Sequence, residues 1–147
     1  MSEIGLLSAA LIVSVLLAAV AVSYLLRRVG RAEDENAALR DMLDATAAAM
    51  SLVQGQVKDN LLRDTPRIQG IVKALEWIDR SAQCVSPTLR DHLSDVPWSY
   101  VIGIYEQIAR PDGQICTDSL WFAIAEVISP LQFALERALP PDEDVYA

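Results

Sequence analysis

The hydrophobic pattern of the chain begins with a long apolar run near the N-terminus. Residues 4–26 carry no charged side chain, and Glu3 and Arg27 flank them. As a helix, about 23 residues extend about 34 Å, which matches the hydrocarbon core of a bilayer. A helix that is apolar on every face would need burial all round in water, and the rest of the chain is too short to enclose it. We therefore expect a transmembrane anchor at residues 1–28.

The next segment is polar, and its apolar residues are spaced three and four apart. This spacing is typical of a coiled-coil seam, and also of a helix face packed inside a domain. We predict that residues 29–63 form a helical stalk that continues the transmembrane helix, with both uses of its apolar face left open. The seam residues are Leu39, Met42, Thr46, Ala49 and Val53.

Prolines mark three helix starts in the second half of the chain. Pro66, Pro87 and Pro97 each stand at or beside the first position of a predicted helix, where proline is favoured. We expect Thr65 to cap the first of these helices and Ser86 to cap the second.

The helix that follows Pro66 is amphipathic. Its apolar positions recur at helical spacing, and we expect the charged residues between them to lie largely outside that face. The apolar positions are Ile68, Ile71, Val72, Leu75 and Ile78, and the charged ones are Lys73, Glu76, Asp79 and Arg80.

A turn separates the last predicted helix from the one before it. The sequence "RPDG" at residues 110–113 places Pro at the second turn position and Gly at the fourth. Helical periodicity resumes near Thr117, and Pro130 should kink or split that helix, with Ser129 available as a new cap. These patterns predict an all-α fold with about four helices at residues 64–139. The acidic residues 140–147 are expected to form a disordered tail.

Charge indicates how the apolar helix is oriented. Arg27, Arg28 and Arg31 follow the run, and Lys and Arg are retained on the cytoplasmic side of a membrane. We therefore predict a single-pass protein of the inner (cell) membrane with its body in the cytoplasm. The small residues at 19–21 would suit signal peptidase, but a signal sequence carries its positive charge before the apolar run.

The apolar run also carries a ridge of small residues. Ala10, Ser14 and Ala18 stand four apart, so they share one face of a helix. Such ridges let two membrane helices approach closely. The ridge is a candidate surface for self-association, although this spacing also arises by chance in alanine-rich sequences.

Composition excludes some classes of function. The chain has 147 residues and a net charge of −8, which argues against nonspecific nucleic-acid binding because that needs a cationic face. Cys84 and Cys116 have no paired spacing, as is usual in a reducing compartment, and whether they form a disulfide stays open. We expect no metal or cofactor, because the chain has no CxxC, HxxxH or HExxH spacing.

Few residues suggest catalysis. His92 is the only histidine, and Cys84 and Asp95 lie near it in sequence. A catalytic Cys–His pair would have to meet in space, so we interpret these side chains as surface residues and predict no catalytic group. Glu106 and Glu126 fall among apolar residues, and we interpret both as the polar edge of a helix.

The aromatic residues are expected to build most of the core of the small domain. This set comprises Trp77, Trp98, Tyr100, Tyr105, Trp121 and Phe122. The alternative is an exposed patch that binds a protein partner. The candidate partner surface consists of Trp98, Tyr105, Glu106 and Trp121.

One stretch resembles a known group of proteins. The run "WSYVIGIYEQIARPDGQICTDSLWFAIAEVI" is similar to the C-terminal helical pair of an uncharacterised family of bacterial single-span membrane proteins. It covers about a fifth of the chain, and the resemblance implies an anchored helical protein with no assigned activity. The matching residues are Tyr105, Glu106, Ile108, Ala109, Gly113, Ile115 and Trp121.

Three hypotheses of function follow from these patterns. The favoured one is a membrane-tethered, non-enzymatic helical interaction or scaffold protein whose partners are the lipid bilayer and an unknown protein. It would bind no nucleic acid, and it could form a homo-oligomer through the span or the stalk. The second is a phage-type inner-membrane lysis component similar to spanins, which place their body in the periplasm. The weakest is a membrane-bound enzyme that uses Cys84, His92 or Glu106.

Overall fold

The computed structural model describes residues 2–140, with side chains from Ala10 onward. It is 79% helical with no strands among these residues, so the predicted all-α fold is confirmed. The predicted tail at 140–147 lies outside the described residues, apart from Pro140. The elements are α1 (Ser2–Val53), α2 (Lys58–Leu61), α3 (Thr65–Gln83), α4 (Pro87–His92), α5 (Trp98–Val101), α6 (Ile104–Ile108), α7 (Thr117–Phe122), a π-helical segment (Ala123–Ile128) and α8 (Ser129–Ala138).

The chain divides into two compact units, Met1–Asp34 and Glu35–Ala147, and the division falls inside α1. In the first unit, α1 contains a stretch that is long and apolar enough to cross a membrane, and none of this stretch is buried. From Leu11 to Val29 its large apolar side chains are exposed. The apolar segment therefore does not serve as the core helix of a folded domain in the described chain.

The second unit includes the C-terminal part of α1. Leu39, Met42, Thr46 and Ala49 are buried in its core, and Val53 is partly buried against it. The seam is thus an intramolecular packing face, the second of the two uses left open above. The predicted stalk at 29–63 is divided in the structure, since α1 from Glu35 onward packs with the domain. The Thr46 hydroxyl donates to the Leu43 carbonyl at 2.7 Å, which satisfies this buried polar group.

The core of the second unit is aliphatic rather than aromatic. Leu75, Ile78, Leu120, Ile128 and Leu135 are among the side chains that are fully buried. The expectation of an aromatic core is wrong for the three aromatic residues that are about half exposed. They are Trp77 at 48%, Tyr100 at 52% and Phe122 at 49%. Small residues such as Ala49 and Ala82 are fully buried among these aliphatic side chains.

Local start signals place most helix N-termini as predicted. Ser86 caps α4 by accepting from the Leu89 N–H at 3.3 Å. For α3 the cap is Asp64 rather than Thr65, because its carboxylate accepts from the Arg67 N–H at 3.2 Å. The prediction was wrong by one residue since both side chains are able to cap.

The turn at 110–113 closes as predicted, with the Gly113 N–H donating to the Arg110 carbonyl at 2.9 Å. The φ of Gly113 is +81°, a conformation that favours glycine.

Pro130 interrupts the last helix in a different way from the one expected. The chain stays helical from Thr117 to Ala138, and the turn before the proline widens into the π-helical segment. A wider turn relieves the clash between the proline ring and the preceding carbonyl groups. The predicted cap at Ser129 is wrong, since this residue has helical backbone angles and its hydroxyl lies 3.7 Å from the Met50 sulfur.

Candidate functional site

The carboxylate of Asp79 is buried in the domain and accepts three hydrogen bonds. Asp79 is 5% exposed, although its position in sequence suggested a solvated face. Its carboxylate accepts from the Gly103 N–H at 3.0 Å, the Tyr105 N–H at 3.2 Å and the Gln83 amide at 2.9 Å. Gly103 has a φ of +86° and leads into α6. Asp79 therefore satisfies N–H groups at the start of α6, which has no cap of its own, and we assign it a structural role.

The residues considered for catalysis do not form one site. Cys84 is exposed, and its thiol lies 3.6 Å from the Arg80 carbonyl. His92 is exposed too, with Nδ1 2.7 Å from the Thr88 carbonyl oxygen. No hydrogen bond joins Cys84 to His92 in the part of the chain that is described. Each side chain is bonded within its own stretch of sequence, so the structure does not pair them.

The other acidic candidates lie at the surface, and the described side chains form no metal-binding cluster. Glu106 and Glu126 are exposed, as the helix-edge interpretation expects. Among residues 10–140, no group of three or more His, Cys, Asp or Glu side chains is arranged to hold a metal ion.

Cys116 is the side chain whose chemistry the sequence did not reveal. It lies just before α7, and its thiol is free, as is that of Cys84. The Ser119 hydroxyl donates to its sulfur at 3.2 Å. This hydrogen bond, helped by the Ser119 N–H and by Arg110, lowers the pKa of Cys116 to about 7. Because the thiolate is the reactive form, Cys116 should react with electrophiles at neutral pH.

Three of the four residues of the predicted partner surface are only partly exposed in the structure. Trp98 is partly buried, and its indole N–H donates to the carbonyls of Arg90 at 3.1 Å and Leu93 at 3.0 Å. Trp121 is packed against the core, with the Lys58 ammonium 5.8 Å from its ring centre. Of the four residues, only Glu106 is exposed, and Tyr105 is intermediate in exposure. The two tryptophans thus contribute mainly to packing.

Other surfaces present aromatic groups to solvent. Tyr100 and Phe122 are both half exposed, and their ring centres are 6.1 Å apart. Trp77 is exposed on α3, where the Arg80 guanidinium lies 6.0 Å from its ring centre. The sequence pattern assigned these three rings to the core, with an exposed patch as the alternative, because periodicity marks the apolar face of a helix but not how far the edge of that face is covered.

An open groove lies between α1 and α3 within the second unit, and we name it the α1–α3 groove. Its volume is about 400 Å³. Small residues form much of its lining, and charged residues stand on both helices. The residues that line it are Asp41, Asp44, Ala45 and Ala48 of α1, and Gly70, Lys73, Ala74 and Trp77 of α3.

In the first unit, the residues predicted to determine topology and helix packing are solvent-facing in the isolated chain. Arg27, Arg28 and Arg31 are exposed, as are the small residues of the predicted ridge. Within that ridge, the Ser14 hydroxyl donates to the Leu11 carbonyl at 2.9 Å, so its hydrogen-bonding need is met inside the helix. The ridge is Ala10, Ser14 and Ala18. Its role in association, and that of the arginines in orientation, stay predictions.

Comparison with known proteins adds no assignment to these observations. No family model matches the chain. No curated protein and no solved structure is detectably similar to it. The resemblance drawn from residues 98–128 therefore stays an expectation, and the function has to be argued from the residues themselves.

Proposed function

We propose that this chain is a membrane-tethered, non-enzymatic helical interaction or scaffold protein. The observation that carries the proposal is the first unit of the structure, where the apolar part of α1 exposes its side chains on all faces. The second unit is a packed helical domain on the same chain. In this proposal the apolar segment anchors the chain in the inner membrane, and the domain contacts a protein partner.

Energetics supports insertion of the apolar segment. About a dozen large apolar residues between Leu11 and Val29 are each more than half exposed. Each Leu, Ile or Val near the centre of a bilayer contributes about 0.3–0.6 kcal/mol in favour of insertion, which sums to several kcal/mol. In water the same surface would favour aggregation. Arg27, Arg28 and Arg31 stand at the end of this segment, and in this proposal they hold the domain on the cytoplasmic side.

Membrane fractionation tests the anchor. The full-length protein should remain in the membrane pellet after alkaline carbonate extraction and be released by detergent. A double variant, Leu16→Arg with Val20→Arg, places two charges in the apolar segment, each costing about 3 kcal/mol at the bilayer centre. It should become extractable by carbonate. The matched control is Ala47→Arg together with Ser51→Arg, two exposed positions of α1 in the second unit, which should leave the protein in the pellet.

Thiol labelling tests the orientation. Cys84 is exposed, so a membrane-impermeant thiol reagent should label it in lysed cells but not in intact cells, if the domain is cytoplasmic. A Cys84→Ser variant controls for labelling at Cys116. Labelling in intact cells whose outer layer admits the reagent would place the domain outside the cytoplasm and would favour a lysis-type envelope role. Carbonate extraction of the wild-type protein would contradict the anchor itself.

A further inference from the structure

The α1–α3 groove carries charges of both signs that have no partner among residues 10–140. Asp41 and Asp44 are exposed on α1, and Lys73 is exposed on α3. Within residues 10–140, none of the three forms an ion pair or a side-chain hydrogen bond. The groove therefore has one acidic wall and one wall with a lysine, and both remain available to an external partner.

The two helices that form the groove are antiparallel. At one end of α3, the Arg67 guanidinium donates to the Leu52 carbonyl at 3.0 Å. Beyond the other end, the Ser86 N–H donates to the Glu35 carboxylate at 3.0 Å. The helix α3 is therefore antiparallel to residues 35–53 of α1. Interpolating between these two contacts, Lys73 lies on α3 at about the level of Thr46 and Ala47 on α1, within one helical turn of Asp44.

The floor of the groove is low because its residues are small. Ala45, Ala48, Gly70 and Ala74 line it, and at Gly70 an added Cβ would lie 2.8 Å from the Leu52 side chain. Trp77 stands on the same surface and is 48% exposed. One face of the domain thus presents both a shallow depression and a large aromatic side chain that projects beside it.

A surface with these features is complementary to itself. A twofold axis parallel to the groove places α1 of each copy opposite α3 of the other at the same level along the helices. The acidic wall of one copy then faces Lys73 of the other, and the twofold axis makes this contact occur twice in the dimer. A partner of a single charge sign would be repelled by one of the two walls, whereas a second copy supplies the opposite sign at both.

We propose that the α1–α3 groove is the interface of a twofold homodimer. In this dimer Lys73 of each copy pairs with Asp44 of the other, and Trp77 of each copy covers small residues of the opposite floor. The pairing goes beyond the proposed function and does not depend on whether the apolar segment lies in a membrane. It also differs from association through the ridge at Ala10, Ser14 and Ala18.

Density-matched sedimentation equilibrium of the full-length protein in detergent tests the dimer. The wild-type protein should show a monomer–dimer equilibrium. Lys73→Glu and Asp44→Lys should each raise the dissociation constant by about tenfold or more, because each substitution acts twice in a twofold dimer. The double variant with both substitutions should recover dimerisation, since the charges are then exchanged across the interface.

Controls separate this interface from other causes. Arg63→Glu makes the same charge change as Lys73→Glu at an exposed position outside the groove, and it should leave the dissociation constant unchanged. All of these positions are exposed, and circular dichroism should confirm that each variant is folded.

Three outcomes would overturn the proposal. One is a wild-type protein that stays monomeric throughout the accessible concentration range. Another is a dimer that tolerates both single charge reversals but is lost on Ser14→Ile, which would assign association to the apolar segment. The third is a double variant that stays as weak as the single ones. None of these results bears on the membrane anchor, which the extraction experiment tests separately.

Discussion

Replacing the buried Asp79 should destabilise the helical domain more than replacing any other single carboxylate that the structure describes. The Asp79→Ala variant leaves the N–H groups of Gly103 and Tyr105 without their acceptor, and it also breaks the bond from Gln83. Hydrogen bonds to charged groups contribute about 1.5–3 kcal/mol each, and unsatisfied buried donors lose their full desolvation energy. Taking the low end for the two backbone bonds, since they are only partly buried, we expect a loss of about 3 kcal/mol.

Thermal unfolding of the full-length protein in mild detergent, followed by tryptophan fluorescence, measures this loss. All three tryptophans lie in the second unit, so the signal reports the domain and not the apolar segment. For a domain of about 110 residues, a change of 1 kcal/mol shifts Tm by about 4 °C, so the Tm of Asp79→Ala should fall by about 12 °C.

Two further variants sharpen this test. Asp79→Asn preserves the size of the side chain but offers one acceptor oxygen, so we expect about half the loss. The matched control is Glu76→Ala, three residues earlier on the same helix. Its carboxylate pairs with Arg80 at 2.9 Å at the surface, and such pairs contribute about 0.5 kcal/mol or less. A loss below about 1 kcal/mol for Asp79→Ala would refute the view that this carboxylate holds α6 in place.

Three other predictions concern the same unit. In a Cys84→Ser background, the rate of Cys116 alkylation by iodoacetamide should rise with pH, with a midpoint near the pKa of about 7. The Ser119→Ala variant should raise that midpoint, because it removes the hydroxyl that donates to the sulfur. Equal midpoints in the two proteins would contradict this role of Ser119. Gly103→Ala should cost about 1–2 kcal/mol in chemical denaturation, since the φ of +86° is strained for alanine; a neutral result would show that the loop relaxes. Asp64→Ala should cost about 1 kcal/mol as a lost helix cap, and an unchanged Tm would refute its capping role.

Most signals that act over a few residues are predictable from the sequence, although the caps expected at Thr65 and Ser129 are wrong. The cap at Ser86 and the turn at 110–113 were predicted because the necessary groups lie within three residues of one another. The apolar run of α1 was equally plain, since its length and lack of charge need no knowledge of the rest of the chain. The same local reasoning explains the one-residue error at the cap of α3, where two adjacent side chains were suitable.

The candidate sites depended on packing that periodicity does not contain. Asp79 lies on the polar side of its helix in sequence, yet α6 covers it, and only the fold brings Gly103 and Tyr105 to its carboxylate. Likewise, the indole N–H of Trp98 donates to carbonyls of the preceding helix and loop, those of Arg90 and Leu93. Residue spacing alone could not distinguish this structural role of Trp98 from a role in binding a partner.

The sequence by itself determined the helical class, the apolar segment and most helix starts, because these depend on hydrophobic periodicity and on bonds between near neighbours. Only the tertiary structure decided which apolar faces are covered. In the folded domain Leu39 and Met42 of the seam are buried, Trp77 is exposed, and the α1–α3 groove lies beside Trp77. The physical reason is that burial is a property of pairs of elements, whereas a sequence pattern describes one element at a time.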